Sequence, residues 1–113
     1  MLTVRSQKSL HWTAHSRAKM RYYKLSEARA KRVIHTPKRI EEGIAPNTIA
    51  MMQSAGSEKH PYEIWVMIQD IKAGRKVISV WRYPGITKPR DEITKKFLKQ
   101  EYSNFTEGSD ELG

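Results

Sequence analysis

The first third of the chain carries side chains of the types that bind or cleave RNA. His15 and Lys19 are four residues apart, so a helix would place them on one face. Tyr22 or Tyr23, three or four residues further on, would lie on the same face. The adjacent row is basic and consists of Arg17, Arg21 and Lys24. Because cations hold phosphates and rings stack on unpaired bases, this combination favours RNA. Periodicity alone does not assign the face, so a tyrosine could instead pack on a sheet and His15 could fill a niche.

A second candidate group closes a late apolar segment. Trp81, Arg82 and Tyr83 end a run with the alternation of a β-strand. Arg82 could stabilise charge that develops on a phosphate, while the two rings grip bases. The alternative is a core tryptophan with an outward arginine stacked on it.

Metal-free RNA cleavage needs a base, an acid and cations around the crowded phosphate. We assign His15, Arg82 and Tyr83 as the candidate catalytic residues, with Lys19 as an alternative partner of His15 and Arg21 as a second clamp. Acidic residues do not cluster as a ligand set, so we expect no metal site and no cofactor. The candidate RNA-binding residues are Arg17, Lys19, Arg21, Tyr22, Lys24 and Trp81.

Positive charge is concentrated near the N-terminus of this chain, which has 113 residues and a net charge of +9. Residues 1–39 contain 11 basic side chains and a single acid, Glu27, and so carry a charge of +10. Residues 106–113 contain three acids and no base. Such a distribution predicts a polyanionic partner: RNA, DNA, an acidic protein or an anionic membrane surface.

The composition argues against several classes of protein. The chain has no cysteine, which excludes disulfides, Cys-ligated zinc, iron–sulfur clusters and thiol catalysis, and is typical of the cytoplasm. No apolar run approaches the ~20 residues of a membrane-spanning helix. Residues 1–10 lack the apolar segment of a secretory signal. We therefore expect a cytoplasmic protein that does not enter a membrane.

Two helices are predicted in the first third. Thr13 is a candidate N-cap for a helix that runs to about residue 23, and Ser26 caps a second helix that Pro37 stops. The expected buried stripe of the second helix is Ala30, Val33 and Ile34.

Four strands are predicted after these helices, at 39–43, 48–53, 61–69 and 76–83. The third is apolar on both faces and should be central. Strict alternation divides the fourth into one face with Val77, Ser79, Trp81 and Tyr83 and another with Ile78, Val80 and Arg82. A short C-terminal helix from Asp91 to about Tyr102 should face inward through Ile93, Phe97 and Leu98.

The predicted fold is an α+β domain with helices on one face of a four-stranded antiparallel sheet. The two N-terminal helices pack on that sheet, with the C-terminal helix as a possible addition. Residues 1–105 form this single domain, and 106–113 form an acidic flexible tail. Leu2–Val4 could be an edge strand or a frayed end.

The order of these motifs resembles an uncharacterised family of small bacterial domains, over about residues 10–85. The matching features are His15 leading a basic helix, Thr36-Pro37 before the 39–43 strand, and the late strand through Arg82. That family is similar in architecture to the RelE-like and BrnT-like toxins of toxin–antitoxin systems. The resemblance implies a small sheet with a helical hairpin, and metal-independent ribonuclease activity checked by a small acidic antitoxin-like protein.

One residue departs from the pattern of that family. Lys19 stands where relatives usually have arginine, so a bound phosphate would meet a point charge in place of a planar fork. Three functions therefore remain open: a RelE-like endoribonuclease, a non-catalytic RNA- or ribosome-binding module, and an interaction domain for an acidic protein. The oligomeric state is not predicted.

Overall fold

The computed structural model describes residues 9–43 and 45–109, which form an α+β fold. The helices are α1 (Ala14–Tyr23), α2 (Glu27–His35) and α3 (Glu92–Ser109). The strands are β1 (Leu10–Trp12), β2 (Arg39–Glu42), β3 (Thr48–Gly56), β4 (Pro61–Ile71) and β5 (Gly74–Pro84). They form one sheet in the order β1-β5-β4-β3-β2.

The helical hairpin is confirmed, together with its caps. The Thr13 side chain accepts a hydrogen bond from the Ser16 N–H, and the Ser26 side chain accepts one from the Arg29 N–H. These bonds satisfy backbone donors that have no partner within the helix. Lys24 ends α1 in the left-handed conformation, with a φ of 58°. The buried residues of α2 are the predicted Ala30, Val33 and Ile34.

The sheet is mixed and has five strands, so the prediction of four antiparallel strands is wrong in detail. Strands β2 to β5 form the expected antiparallel meander, with β4 at the centre. The additional strand β1 pairs with β5 in parallel through only three residues. A strand of three residues is too short to show the alternation of apolar and polar side chains by which a strand is recognised in a sequence. Leu2–Val4, the segment named as a potential edge strand, lies outside the described residues.

A β-bulge in β5 changes which side chains share a face. Met67 pairs with Ser79 but Ile68 pairs with Val77, which leaves Ile78 as the extra residue. Val77 therefore packs on the same side as Val80, whereas Ile78 packs with the residues of the opposite side. The assignment of Val77 and Ile78 by strict alternation is thus wrong, because a bulge reverses the pattern on one side of it.

Helices cover both faces of the sheet, and not one face as predicted. We call the side covered by α2 the hairpin face, where Val33 packs with β-strand residues such as Ile64 and Val66. We call the other side the α3 face, where Leu98 and Phe105 pack with Trp65 and other residues of the sheet. Helix α1 joins the two layers through Met20 on the hairpin side and Tyr23 on the α3 side.

Helix α3 is longer than predicted and turned differently. It continues to Ser109, so residues 106–109 of the predicted flexible tail are helical, and 110–113 lie outside the described residues. Ile93 is 52% exposed, which corrects its inward assignment. The buried positions are Thr94, Leu98, Glu101 and Phe105. Two of these, Thr94 and Glu101, are polar, so an apolar pattern alone marks only half of the buried stripe.

A pair of stacked tryptophans allows a matched test of the α3 face. The rings of Trp65 and Trp81 are 5.8 Å apart and nearly parallel. Trp65 Nε1 donates to the buried Glu63 carboxylate over 3.0 Å, whereas Trp81 Nε1 is buried without a partner in the described chain. We expect Trp65→Phe to cost about 1–3 kcal/mol more than Trp81→Phe, because only the first strips a donor from a buried carboxylate. Urea unfolding that gives the two variants the same loss of unfolding free energy would contradict this expectation.

Candidate nucleic-acid interface

The joint between α1 and α2 forms an open depression with a basic rim. Its rim carries Arg17, Arg21 and Lys24, and its floor contains the apolar side chains of Met20 and Leu25. The first turn of α2 closes one side of the depression. The left-handed Lys24 reverses the chain sharply enough to bring the basic end of α1 against the start of α2.

The three rim cations are exposed, and an exposed aromatic residue, Tyr22, follows Arg21 directly in the last turn of α1. Tyr22 is 78% exposed, and its ring meets that of Tyr23 edge-on with centroids 4.8 Å apart. Tyr23 packs against the core of the α3 face. The structure therefore separates the two tyrosines, with Tyr23 as the packing residue and Tyr22 as the ring presented to solvent.

Acidic charge near this depression is limited to one side chain among the described residues of the hairpin. Glu27 accepts from Arg17 over 2.9 Å, and both side chains are nearly half exposed. Lys31 lies four residues after Glu27, and Arg32 follows it, both exposed. The outer surface of the hairpin thus remains strongly positive. We call Arg17, Arg21, Tyr22, Lys24, Lys31 and Arg32 the basic hairpin surface.

Lys19 belongs to a different environment from the other predicted RNA-binding cations. Its ammonium donates to Glu101 Oε2 over 2.9 Å, and only 19% of the side chain is exposed. Ser79 Oγ donates to the other carboxylate oxygen over 2.6 Å. Lys19 therefore neutralises a buried acid that links α1 to α3.

His15 lies next to this ion pair and is also turned inward. Its ring meets Phe105 edge-on at 6.1 Å, and its Nε2 is buried with no hydrogen-bond partner within the described structure. Burial lowers the pKa of His15 below its ordinary value of 6.5; Glu101 opposes this shift and Lys19 adds to it. This environment disfavours the charged form of the imidazole, which packs against the α3 layer.

The remaining candidate catalytic residues do not converge with His15. Arg82 lies on the hairpin face, where its guanidinium stands 5.0 Å from the Tyr62 ring centre. Tyr83 lies on the opposite face, 5.4 Å from the Phe97 ring. Consecutive residues of a regular strand point to opposite faces, so the sheet itself separates Arg82 from Tyr83.

Trp81 is a core residue in this fold. It is 3% exposed and packs against both Trp65 and Phe97, so its ring is not available to stack on a base. This corrects its assignment to RNA binding. The alternative of a core tryptophan with an outward arginine stacked on it is correct only in part. Trp81 is in the core, but Arg82 lies over the ring of Tyr62 and not over that of Trp81.

Sequence reasoning missed three buried carboxylates on the α3 face, those of Glu41, Glu63 and Glu101. Glu41 accepts from Arg39 Nε over 3.0 Å. Glu101 binds Lys19 and Ser79, as described above. Glu63 accepts from the Thr87 N–H over 2.9 Å and from the Thr87 hydroxyl over 2.8 Å. Glu101 could have been found from its position, because residues 94, 98, 101 and 105 recur at the spacing of one helix face. No comparable pattern marks Glu63, because it lies within an otherwise apolar strand.

The described residues, 9–43 and 45–109, contain no group of three or more His, Asp or Glu side chains that could hold a metal ion. None of the helices in this part of the chain is long and apolar enough to cross a membrane. Comparison with known proteins finds no matching family model, no matching curated protein and no matching solved structure.

Two ion pairs of α1 differ in burial and allow a matched comparison. We expect Lys19→Met to destabilise the fold by about 3 kcal/mol, because it leaves the buried Glu101 without its cation. Arg17→Met should cost less than about 1 kcal/mol, because its pair with Glu27 is exposed to solvent. Chemical denaturation of both variants measures the difference. A Lys19→Met protein as stable as Arg17→Met would contradict the structural role of this pair.

The environment of His15 predicts a pH-dependent stability. The folded state binds fewer protons than the unfolded state, so stability should fall as the pH drops through 6.5 toward the lower folded pKa. We expect His15→Gln to flatten this part of the curve of unfolding free energy against pH. A mutant curve parallel to that of the wild type would show that His15 is not the group responsible.

Proposed function

We propose that this protein binds RNA through the basic hairpin surface, without cleaving it. The observation that carries the proposal is the exposed ring of Tyr22 on the same turn of α1 as the exposed cations Arg21 and Lys24. Phosphate contacts from lysine and arginine supply most of the affinity for a nucleic acid. An exposed aromatic ring can stack on an unpaired base.

Binding is favoured over cleavage by the positions of the predicted catalytic residues. His15 is turned toward the α3 layer, and Arg82 lies on the other side of the sheet from Tyr83. A metal-free ribonuclease needs its base, acid and cations around one phosphate. The RelE-like resemblance therefore supports an RNA ligand better than it supports RNA cleavage.

The combination of side chains also favours RNA over an acidic antitoxin-like protein. Surface cations alone serve either partner, because both are anionic. A tyrosine that is 78% exposed beside them adds a stacking platform that bases, and not carboxylates, can use. RNA with unpaired loops is therefore the ligand that uses the whole surface.

The salt dependence of binding tests this proposal. We expect Arg21→Ala/Lys24→Ala to reduce the slope of log affinity against log salt by about 1.4, as expected for two lost phosphate contacts on single-stranded RNA. Lys72→Ala/Lys88→Ala removes the same charge from exposed positions outside the hairpin and serves as the matched control. Mobility-shift titrations of a labelled stem-loop RNA give both slopes. Equal effects of the two double variants would refute the assignment of the surface.

The tyrosine supplies a second, independent comparison. Tyr22→Ala should weaken binding by about 1–3 kcal/mol, whereas Tyr22→Phe should retain most of the affinity because it keeps the ring. The same incubations in EDTA are run on a denaturing gel. Cleavage that is lost in both His15→Ala and Arg82→Ala would replace the binding proposal with a metal-independent ribonuclease.

A further inference from the structure

Two arginines on the hairpin face have no acidic partner. Arg82 belongs to β5 and Arg29 to α2, and both side chains are partly buried. The ion pairs formed among the described residues include neither guanidinium. Arginine is not deprotonated in proteins, so a partly buried guanidinium without a carboxylate keeps an uncompensated charge. An anion from outside the chain would compensate both charges.

The guanidinium of Arg82 is held in place but lacks hydrogen bonds. It lies over the ring of Tyr62, 5.0 Å from the ring centre. Its Nε is buried and has no hydrogen-bond partner in the part of the chain that the structure describes. A buried donor without an acceptor is costly. An oxyanion that approaches Arg82 would supply this acceptor.

The guanidinium of Arg29 is positioned by Gln53. Arg29 Nη1 donates to Gln53 Oε1 over 2.6 Å. Gln53 Nε2 in turn donates to the Thr36 carbonyl over 2.8 Å and to the Thr36 hydroxyl over 2.9 Å, which orients the amide with its oxygen toward Arg29. Within the described residues the guanidinium makes no second hydrogen bond, so most of its N–H groups remain available to a ligand.

The sheet brings the two arginines to the same end of the hairpin face. Gln53 pairs with Ile64, and Ile64 pairs with Arg82, so these residues lie in one row across β3, β4 and β5. The backbones of Gln53 and Arg82 are therefore two strand spacings apart, about 10 Å. Tyr62 lies in the next row, on the middle strand. Both arginine side chains can thus reach the space above β4 beside Tyr62.

The electrostatic surroundings of Arg29 also lack a negative charge. Burial lowers the pKa of Arg29 below its ordinary value, the charge of Arg32 lowers it further, and Tyr62 opposes the shift. The groups that act on this guanidinium are thus a second cation and a phenol, and not a carboxylate. A bound anion would relieve the repulsion between the cations.

The number of charges indicates which anion fits. The planar fork of a guanidinium forms paired hydrogen bonds with phosphate oxygens. A phosphate monoester carries a charge of about −1.5 to −2 at neutral pH, whereas each phosphodiester of a nucleic-acid backbone carries a single negative charge. Two guanidiniums without an acid therefore balance a monoester better than a diester.

We propose that Arg29 and Arg82 form a binding site for a phosphate monoester on the hairpin face. Arg82 donates its Nε–H to the phosphate, and Arg29 donates the N–H groups that Gln53 leaves free. Tyr62 and Gln53 are positioning residues, which hold the two guanidiniums. The ligand is the terminal phosphate of an RNA or a small phosphorylated molecule, which present the same group. The site is separate from the basic hairpin surface and does not depend on the RNA binding proposed for it.

Calorimetric titration with inorganic phosphate tests the site in the full chain, treated with nuclease to remove RNA and held at constant ionic strength with chloride. We expect saturable binding, and a loss of affinity of about tenfold or more in Arg82→Gln and in Arg29→Gln. Arg90→Gln removes the same charge from an exposed position outside the site and should bind phosphate as the wild type does. Dimethyl phosphate, a diester with a single charge, should bind about tenfold more weakly than inorganic phosphate.

Conservative variants separate the fork and the ring from charge alone. Arg82→Lys keeps the charge but not the planar fork, so it should recover only part of the affinity that Arg82→Gln loses. Tyr62→Phe keeps the ring under Arg82 and should retain the phosphate affinity, whereas Tyr62→Leu should weaken it. Circular dichroism and thermal unfolding without phosphate establish that each variant is folded.

Short single-stranded RNAs distinguish the two sources of the phosphate. They carry a 5′-phosphate, a 3′-phosphate or neither. A gain in affinity from a terminal phosphate that disappears in Arg82→Gln assigns the site to an RNA end. Equal affinities for the three RNAs, together with saturable binding of inorganic phosphate, assign it to a small phosphorylated molecule.

Four results would overturn the proposal. They are a wild-type protein without saturable binding of inorganic phosphate, either glutamine variant of the site binding as tightly as the wild type, an equal loss in Arg90→Gln, and dimethyl phosphate binding as tightly as inorganic phosphate. These titrations contain no RNA, so failure here is distinguishable from failure of RNA binding at the basic hairpin surface.

Discussion

The central strand β4 imposes the main constraint on this fold. Its residues from Glu63 to Ile68 are buried in succession, so apolar side chains point to both faces of the sheet. Exposure of either face would leave large side chains such as Trp65 or Ile64 in water, at a cost of about 1.5–3 kcal/mol for each large apolar side chain. A helical layer is therefore needed on each side. The hairpin supplies one layer and α3 the other.

The two layers differ in how they are held. The hairpin face is a cluster of aliphatic side chains and methionine. The α3 face contains three buried acids, Glu41, Glu63 and Glu101, which must be given donors because an unpaired buried charge is costly. Glu101 ties α3 to α1 and β5, and Glu63 holds the connection at Thr87 that leads into α3. Polar contacts thus fix the position of the helix along the sheet.

This division of roles explains why the basic residues of α1 behave differently from one another. Lys19 and His15 face the α3 layer and contribute to its structure. Arg21 and Lys24 point to solvent at the joint with α2, where no buried group needs them. One helix therefore combines an inner ion pair with an outer basic surface.

The sequence by itself determined the elements whose signals are local. Caps at Thr13 and Ser26, the stripe of α2 and the double-sided burial of β4 were all predictable, because each depends on residues close in the chain. Exposure of Tyr22 was not, because neither tyrosine of the pair is distinguished from the other by periodicity.

Tertiary structure alone decided the features that depend on distant contacts. The pairing of β1 with β5, the bulge at Ile78 and the placement of α3 arise between segments more than sixty residues apart or on facing strands. The burial of Lys19 with Glu101 likewise joins residues 82 positions apart. Charge pattern could identify a basic segment, but only packing of both faces of the sheet determined which of its cations remain in solvent.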